Sequence, residues 1–168
     1  MNQPNEFNKK KNLLKKKENI YSLLVIIIIF LLDRFSKNKI INNFSENIYF
    51  FNDYLNLNLI WNTGIGFGLF SSNSLAIYNI VTTLVCLVIL VLIYIAINST
   101  NLEKIIYSII IGGAFGNVYD RLFYAAVPDF IDLHYKNFHW FTFNVADIFI
   151  TFGIIAFLVI GFSVDKNK

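Results

Sequence analysis

The stretch "FNVADIFIT", Phe143 to Thr151, places a carboxylate at the head of a long apolar run. From Ile148 to Val164 no residue is charged, so the helix beginning here takes Asp147 with it into a membrane. A carboxylate at membrane depth is costly to bury, and such groups are by default functional candidates with a partner to be found. The run also sets the class of the protein. Of the 168 residues, 56% are hydrophobic and only 15% are charged, with a mean hydropathy of +0.56. The apolar residues come in blocks that mostly lack a polar face, which a bilayer demands and a soluble core does not. The expectation is an all-α membrane protein, one integral membrane domain over residues 1–168.

Four spans are expected, at about 20–37, 75–97, 102–124 and 144–164. A basic head over residues 1–18 precedes them, with Lys9, Lys10, Lys11, Lys15, Lys16 and Lys17. A lysine-rich head also suits a nucleic-acid tail, but a positive flank on the cytoplasmic side of a membrane helix is the better reading. No small-residue cleavage site follows the first apolar run, which continues "LLDRFSK", so an uncleaved anchor is expected. With both termini on one side, nine basic residues fall there and five on the other. That asymmetry puts both termini in the cytoplasm and exports the segments 38–74 and 122–142. In the first exported segment "LNLNLIWN", Leu55 to Asn62, alternates like a half-buried strand and implies a small β-sheet on the membrane surface. Gly64, Gly66 and Gly68 follow, in a pattern that lacks the spacing of a nucleotide cradle. The single cysteine, Cys86, excludes a disulfide framework and reads as a packing residue.

Polar residues gather at the exported ends of the spans. In the first, Asp33 and Lys37 are four apart and able to pair, while Arg34 and Lys37 are expected to snorkel to the interface. The third reads "GGAFGNVYDRLF", where Gly112 and Gly116 allow close helix packing, and Asn117, Asp120 and Arg121 lie on or beside one face. The fourth repeats the device, since Asn144 and Asp147 share the spacing of Asn117 and Asp120. Between them "VPDFIDLH" adds Asp129 and Asp132, in a loop where Pro128 is expected to break the helix.

Two uses of these carboxylates stay open on residues alone. Asp120 and Asp147 either tie helices together through Asn and Arg, with Arg121 beside Asp120, or belong to a pair that shares a proton and performs acid–base chemistry. The echo of "NVYD" in "NVAD" points to Asp120 as the partner of Asp147. His134 and His139 are five apart in an expected loop and lack the H-E-x-x-H arrangement, so they read as interfacial histidines and no metal ligand is assigned. An aspartyl hydrolase fits this inventory better than a cation or proton transporter, whose polar residues would run through the depth of a span, or an assembly protein.

Taken in order, "DRFSK", "NTGIGF", "GGAFGNVYDR", "VPDFID" and "FNVAD" resemble the bacterial lipoprotein signal peptidase family (signal peptidase II) over nearly the whole chain after the basic head. The resemblance implies a membrane aspartic endopeptidase that removes signal peptides from diacylglyceryl-modified prolipoproteins, cutting before the lipidated cysteine. It implies Asp129 and Asp147 as the catalytic pair, with Asn62, Asn117, Asp120, Arg121 and Asn144 around them and a structural role for Asp33 and Lys37. It further implies an enzyme of the bacterial inner membrane with its active site near the outer face and with no metal or organic cofactor; a monomer with no nucleic-acid partner is the expectation, although no motif in the sequence sets the oligomeric state. Pro128, Arg34 and Phe141 depart from the commonest family pattern, standing where a Val or another residue, a Gln and a Pro are usual.

Overall fold

The computed structural model describes residues 6–43, 48–64, 75–99 and 101–165, with side chains from 17 to 161 within those ranges. Gly66, Gly68, Lys166 and Lys168 lie outside the described residues, as do the side chains of the first five lysines of the head. In chain order the elements are α1 (Glu6–Asn43), β1 (Tyr49–Asn52), β2 (Leu55–Asn62), α2 (Leu75–Asn98), α3 (Asn101–Tyr124), β3 (Val127–Tyr135), β4 (Phe138–Phe143) and α4 (Val145–Asp165).

Much of the helices' surface is apolar, while six of their charged residues, Asp33, Arg34, Lys37, Lys104, Asp120 and Arg121, are buried. Ile20, Leu23, Ile28 and Leu31 of α1, Leu84, Leu87, Leu90 and Val91 of α2, and Phe152, Ile155, Leu158 and Val159 of α4 are exposed. Asp33, Lys37 and Asp120 have no exposed surface at all. In water that distribution would be inside out; against hydrocarbon it is the stable one. Among the described residues, two helical segments are long and apolar enough to cross a bilayer, Lys17–Asn43 and Leu75–Asn98, against the four spans expected, and Val145–Gly161 is a shorter apolar stretch.

Helix α3 is the hub and packs against the other three helices. Its apolar residues Ala114 and Val118 meet Ile89, Val85, Cys86 and Ile93 of α2, so Cys86 is a packing residue. Glycines set the approach on the other sides. A Cβ on Gly112 would come within 2.9 Å of the Ile29 Cβ and 3.1 Å of the Ile26 carbonyl, and one on Gly116 would collide with the Asp33 carboxylate. The G-x-x-x-G pair therefore faces α1. Gly113 faces α4, where a Cβ would stand 2.6 Å from the Ala146 carbonyl oxygen.

Into the α1–α3 seam fits a charge network. The Lys37 ammonium donates to Asp120 Oδ2 at 2.7 Å and Asn117 Oδ1 at 2.8 Å, and lies 2.9 Å from Asp33 Oδ2. The Arg34 guanidinium reaches Asp33 at 3.1 Å and Asp120 at 2.6 Å, and stacks over the Tyr119 ring. Arg34 and Lys37 thus turn inward instead of snorkelling, because two buried carboxylates are within their reach. At the opposite end of the seam, Ser22 meets Ser108 and Lys104 donates to Asn19. The i,i+4 pair of Asp33 and Lys37 is real, but it is one edge of a four-charge cluster.

The sheet takes strands from two inter-helical segments, the α1–α2 and α3–α4 connections. Its order is β1-β2-β3-β4, antiparallel throughout. β2 occupies the alternating stretch Leu55–Asn62, whereas the expected loop around "VPDFIDLH" is strand β3. Pro128 does not end α3. That helix stops at Tyr124, with Ala125 in the left-handed region at φ 55°. Pro128 sits in β3 opposite Trp61, in the part where β4 has not yet joined, since β4 pairing begins at Ile131. A strand paired on one side tolerates the missing N–H. The basic head is also not a separate element, because α1 is helical from Glu6.

The network makes a stability prediction. Lys37→Met removes the ammonium and leaves two buried carboxylates sharing Arg34, at a cost of about 3–5 kcal/mol. Thermal unfolding of the purified variant in detergent should show a clear fall in midpoint. An unchanged midpoint would mean that the buried charges do not hold the helices.

Candidate active site

The chain from β4 into α4 builds the site. Asn144 is the residue between the strand and the helix, and it caps α4. Its Oδ1 accepts the Asp147 backbone N–H at 3.1 Å, while Asp147 Oδ2 accepts the Asn144 backbone N–H at 3.2 Å. This reciprocal exchange between the cap and the third helical residue is a capping box written with Asn and Asp. The spacing of three that recurs in "NVAD" is therefore a helix start. In "NVYD" the same spacing lies inside α3 and does different work. Asp33 completes the α4 terminus by accepting the Ala146 N–H at 3.0 Å.

Strand register brings Asp129 to the same place. Ile131 pairs with Phe143, so the next positions along the hairpin set Asn144 level with the start of β3. The Asn144 side chain donates to Asp129 Oδ1 at 2.6 Å. From the other side Asn62, at the end of β2, donates to Asp129 Oδ2 at 2.8 Å. One residue, Asn144, thus touches both Asp129 and Asp147. Asn117 donates to Asp147 Oδ1 at 2.8 Å and accepts from Lys37, so its amide is oriented and the charge network reaches the site.

Asp129 is 2% exposed, and its carboxyl is pushed up to about 7. Burial is the largest cause and the nearby charge of Asp147 the second; the amides of Asn62 and Asn144 and the charge of Lys37 oppose them. Asp147 is half-buried. It opens onto a groove of about 350 Å³ lined otherwise by Thr151 and by the apolar Phe141, Phe143, Ile148, Phe152 and Ile155. Phe141 is therefore a groove residue.

Of the sequence-predicted residues, Asn62, Asn144, Asp129, Asp147 and Asn117 converge. Asp120 stands behind them, bonded to Lys37 and Arg34. Arg121 departs from expectation because it does not pair with Asp120. Its guanidinium donates to the Gly64 carbonyl and lies over the Tyr78 ring, while its own carbonyl accepts the Tyr78 hydroxyl at 2.7 Å. Adjacent helical residues point about 100° apart, so neighbours in sequence are poor partners. Gly64 also donates its N–H to Asn62 Oδ1, and Arg121 thereby secures the turn that follows Asn62. Sequence reasoning missed Arg34 as a partner of Asp120. Its signal was present, since Arg34 and Lys37 are three apart on the helix that carries Asp33.

Comparison with known proteins identifies the family to which the chain belongs. The family described as Signal peptidase (SPase) II matches residues 25–163. The lipoprotein signal peptidase of Pelagibacter ubique is 45% identical over 156 residues, covering 90% of this chain and 93% of its own. That of Francisella tularensis subsp. novicida is 34% identical over 162 residues, covering 94% and 99%. A bacterial membrane enzyme solved by the in meso method at 2.3 Å resolution superposes with a TM-score of 0.73 at 26% identity, over 88% of this chain and 91% of that one. A second, solved by the same method at 1.9 Å resolution, shares the fold with a TM-score of 0.66 at 24% identity, over 83% and 90%. The chain belongs to the signal peptidase II family.

Proposed function

We propose that this chain is a membrane aspartyl endopeptidase that removes the signal peptide from diacylglyceryl-modified prolipoproteins. It cleaves before the lipidated cysteine by water attack activated between Asp129 and Asp147. The reading rests on one observation above all: Asn144 bonds both carboxylates at once, one through its side chain and the other through its cap. The relatives named above, which are lipoprotein signal peptidases, support the substrate class.

The two aspartates divide the work. Asp129, raised to about 7, is assigned as the acid, and Asp147, whose two oxygens accept the Asn117 side-chain and Asn144 backbone N–H groups, is assigned as the carboxylate. A water between them loses a proton to Asp147 as its oxygen attacks the scissile carbonyl carbon. Asp129 gives its proton to the carbonyl oxygen, so no oxyanion forms unprotected. The tetrahedral diol then collapses: the C–N bond breaks, the amide nitrogen takes the proton from Asp147, and Asp129 recovers one from the diol hydroxyl. Atoms and charge balance with no metal or organic cofactor. The apolar groove beside Asp147 receives the signal peptide and the lipid chains.

The single domain crosses the bilayer four times, as α1 to α4, in the inner membrane and as a monomer. Both termini are cytoplasmic, consistent with the lysine-rich head, and the sheet lies over the outer face. Helices α3 and α4 interrupt their apolar faces with the polar groups that the site needs.

Asp129→Asn and Asp147→Asn each should lower cleavage of a diacylglyceryl-modified precursor by about 10²–10⁴-fold while the variants still insert and fold. Near wild-type turnover by either would sink the assignment. The pH profile gives a second check. The acid form of Asp129 is lost as pH rises through about 7, so turnover should fall on the alkaline side, approaching about tenfold per pH unit. A rate that stays flat from neutrality to well above it would show that Asp129 is not the acid.

A further inference from the structure

The hairpin of β3 and β4 carries a second cluster that the peptidase chemistry does not use. His134 and His139 were expected in a loop, but they are partners across the ladder, with their rings stacked at 5.3 Å. Both face the Asp132 carboxylate, whose Oδ2 lies 2.8 Å from His139 Nδ1 and 4.0 Å from His134 Nδ1. One donor atom from each of the three lies within 4.8 Å of the others.

The cluster is incomplete as a hydrogen-bonded unit. Asp132 is 2% and His134 5% exposed, yet Asp132 Oδ1 and His134 Nδ1 have no hydrogen-bond partner among the described residues. Asn56, opposite Asp132 in the β2–β3 ladder and hence on the same face, also has a buried, unpartnered Oδ1. A buried polar atom left unpaired forfeits its hydration without compensation, and native structures leave few of them. Here three lie together, and all three can act as metal donors.

We propose that Asp132, His134 and His139 bind a divalent transition-metal ion of the zinc class. Two imidazole nitrogens and one carboxylate are a borderline-soft set that such an ion prefers over calcium or magnesium, with water in the fourth position. Donor atoms about 2 Å from the ion stand roughly 3.3 Å apart in a tetrahedron. The Asp132–His139 contact must open slightly and His134 must close. His139 has the freedom to do so, since its side chain is 56% exposed, and it gives the ion a route in from solvent. The ion would clamp β3 to β4 three residues beyond Asp129, without touching the reacting atoms.

The test uses the purified, tag-free full chain in detergent near neutral pH, titrated with ZnCl2 by calorimetry and checked by metal analysis. One zinc per chain is expected. His139→Ala should weaken it at least about tenfold, since it removes one of three protein ligands. His139 is exposed, so that variant folds; Asp132→Asn, which keeps the side-chain shape, should weaken binding as well. Cobalt(II) in place of zinc should show the visible absorption of a four-coordinate ion in the wild type and lose it in both variants. Zinc should also raise the thermal midpoint of the wild type and not of His139→Ala. Substoichiometric zinc, or equal affinity in wild type and His139→Ala, would overturn the proposal.

Discussion

The structure depends on the ammonium of Lys37. It is fully buried, and its three N–H groups meet three acceptors: Asp33 on its own helix, and Asn117 and Asp120 on α3. An ammonium taken out of water and left unpaired would be intolerable, so its acceptors must all be in place before α1 and α3 close. Arg34 adds the second cation that two carboxylates require. Asp33 then spends its other oxygen on the first turn of α4, so three helices are registered through one cluster.

From this cluster the order passes to Asp147 and Asp129 in single steps. Lys37 fixes the Asn117 oxygen, which leaves the Asn117 N–H to fix Asp147. The α4 cap fixes Asn144, and Asn144 fixes Asp129. Each amide donates to one neighbour and accepts from another, so its orientation is determined and the carboxylates are held before substrate arrives. Asp33, Lys37, Arg34 and Asp120 accordingly bear on the site only through other residues, and in the proposed mechanism Asp129 and Asp147 are the groups that meet water and peptide. The sheet contributes Asn62 and Asp129 from neighbouring strands, so both longer inter-helical segments reach the candidate site.

Much of this was legible in the chain itself. Apolar run lengths located α2, α3 and α4 to within a residue or two, and period-two alternation found β2. The glycines Gly112 and Gly116 announced a close helix contact, although Gly113, which serves α4, gave no separate signal. What escaped was register across distance. Asp129 and Asp147 are eighteen residues apart, and only the β3–β4 hairpin, closed by a two-residue turn with Lys136 at φ 53°, folds them together. The resemblance to a family supplied that pairing, whereas spacing alone pointed to Asp120. The same hidden hairpin put His134 beside His139. Charge partners were legible where they share a helix, as with Asp33 and Lys37. They were misread for Arg121, because adjacency in sequence is not adjacency on a helix.

The central claim is that the site holds a carboxyl that keeps its proton near neutrality, and that this carboxyl is Asp129. An infrared titration of protein carrying carbon-13-labelled aspartate reads this directly through the carbonyl stretch of a buried, protonated carboxyl. The account predicts a band that persists above the ordinary aspartate value of 3.8, fades around pH 7 and is missing from Asp129→Asn. Loss of every such band near the ordinary value, or its survival in Asp129→Asn, would contradict it.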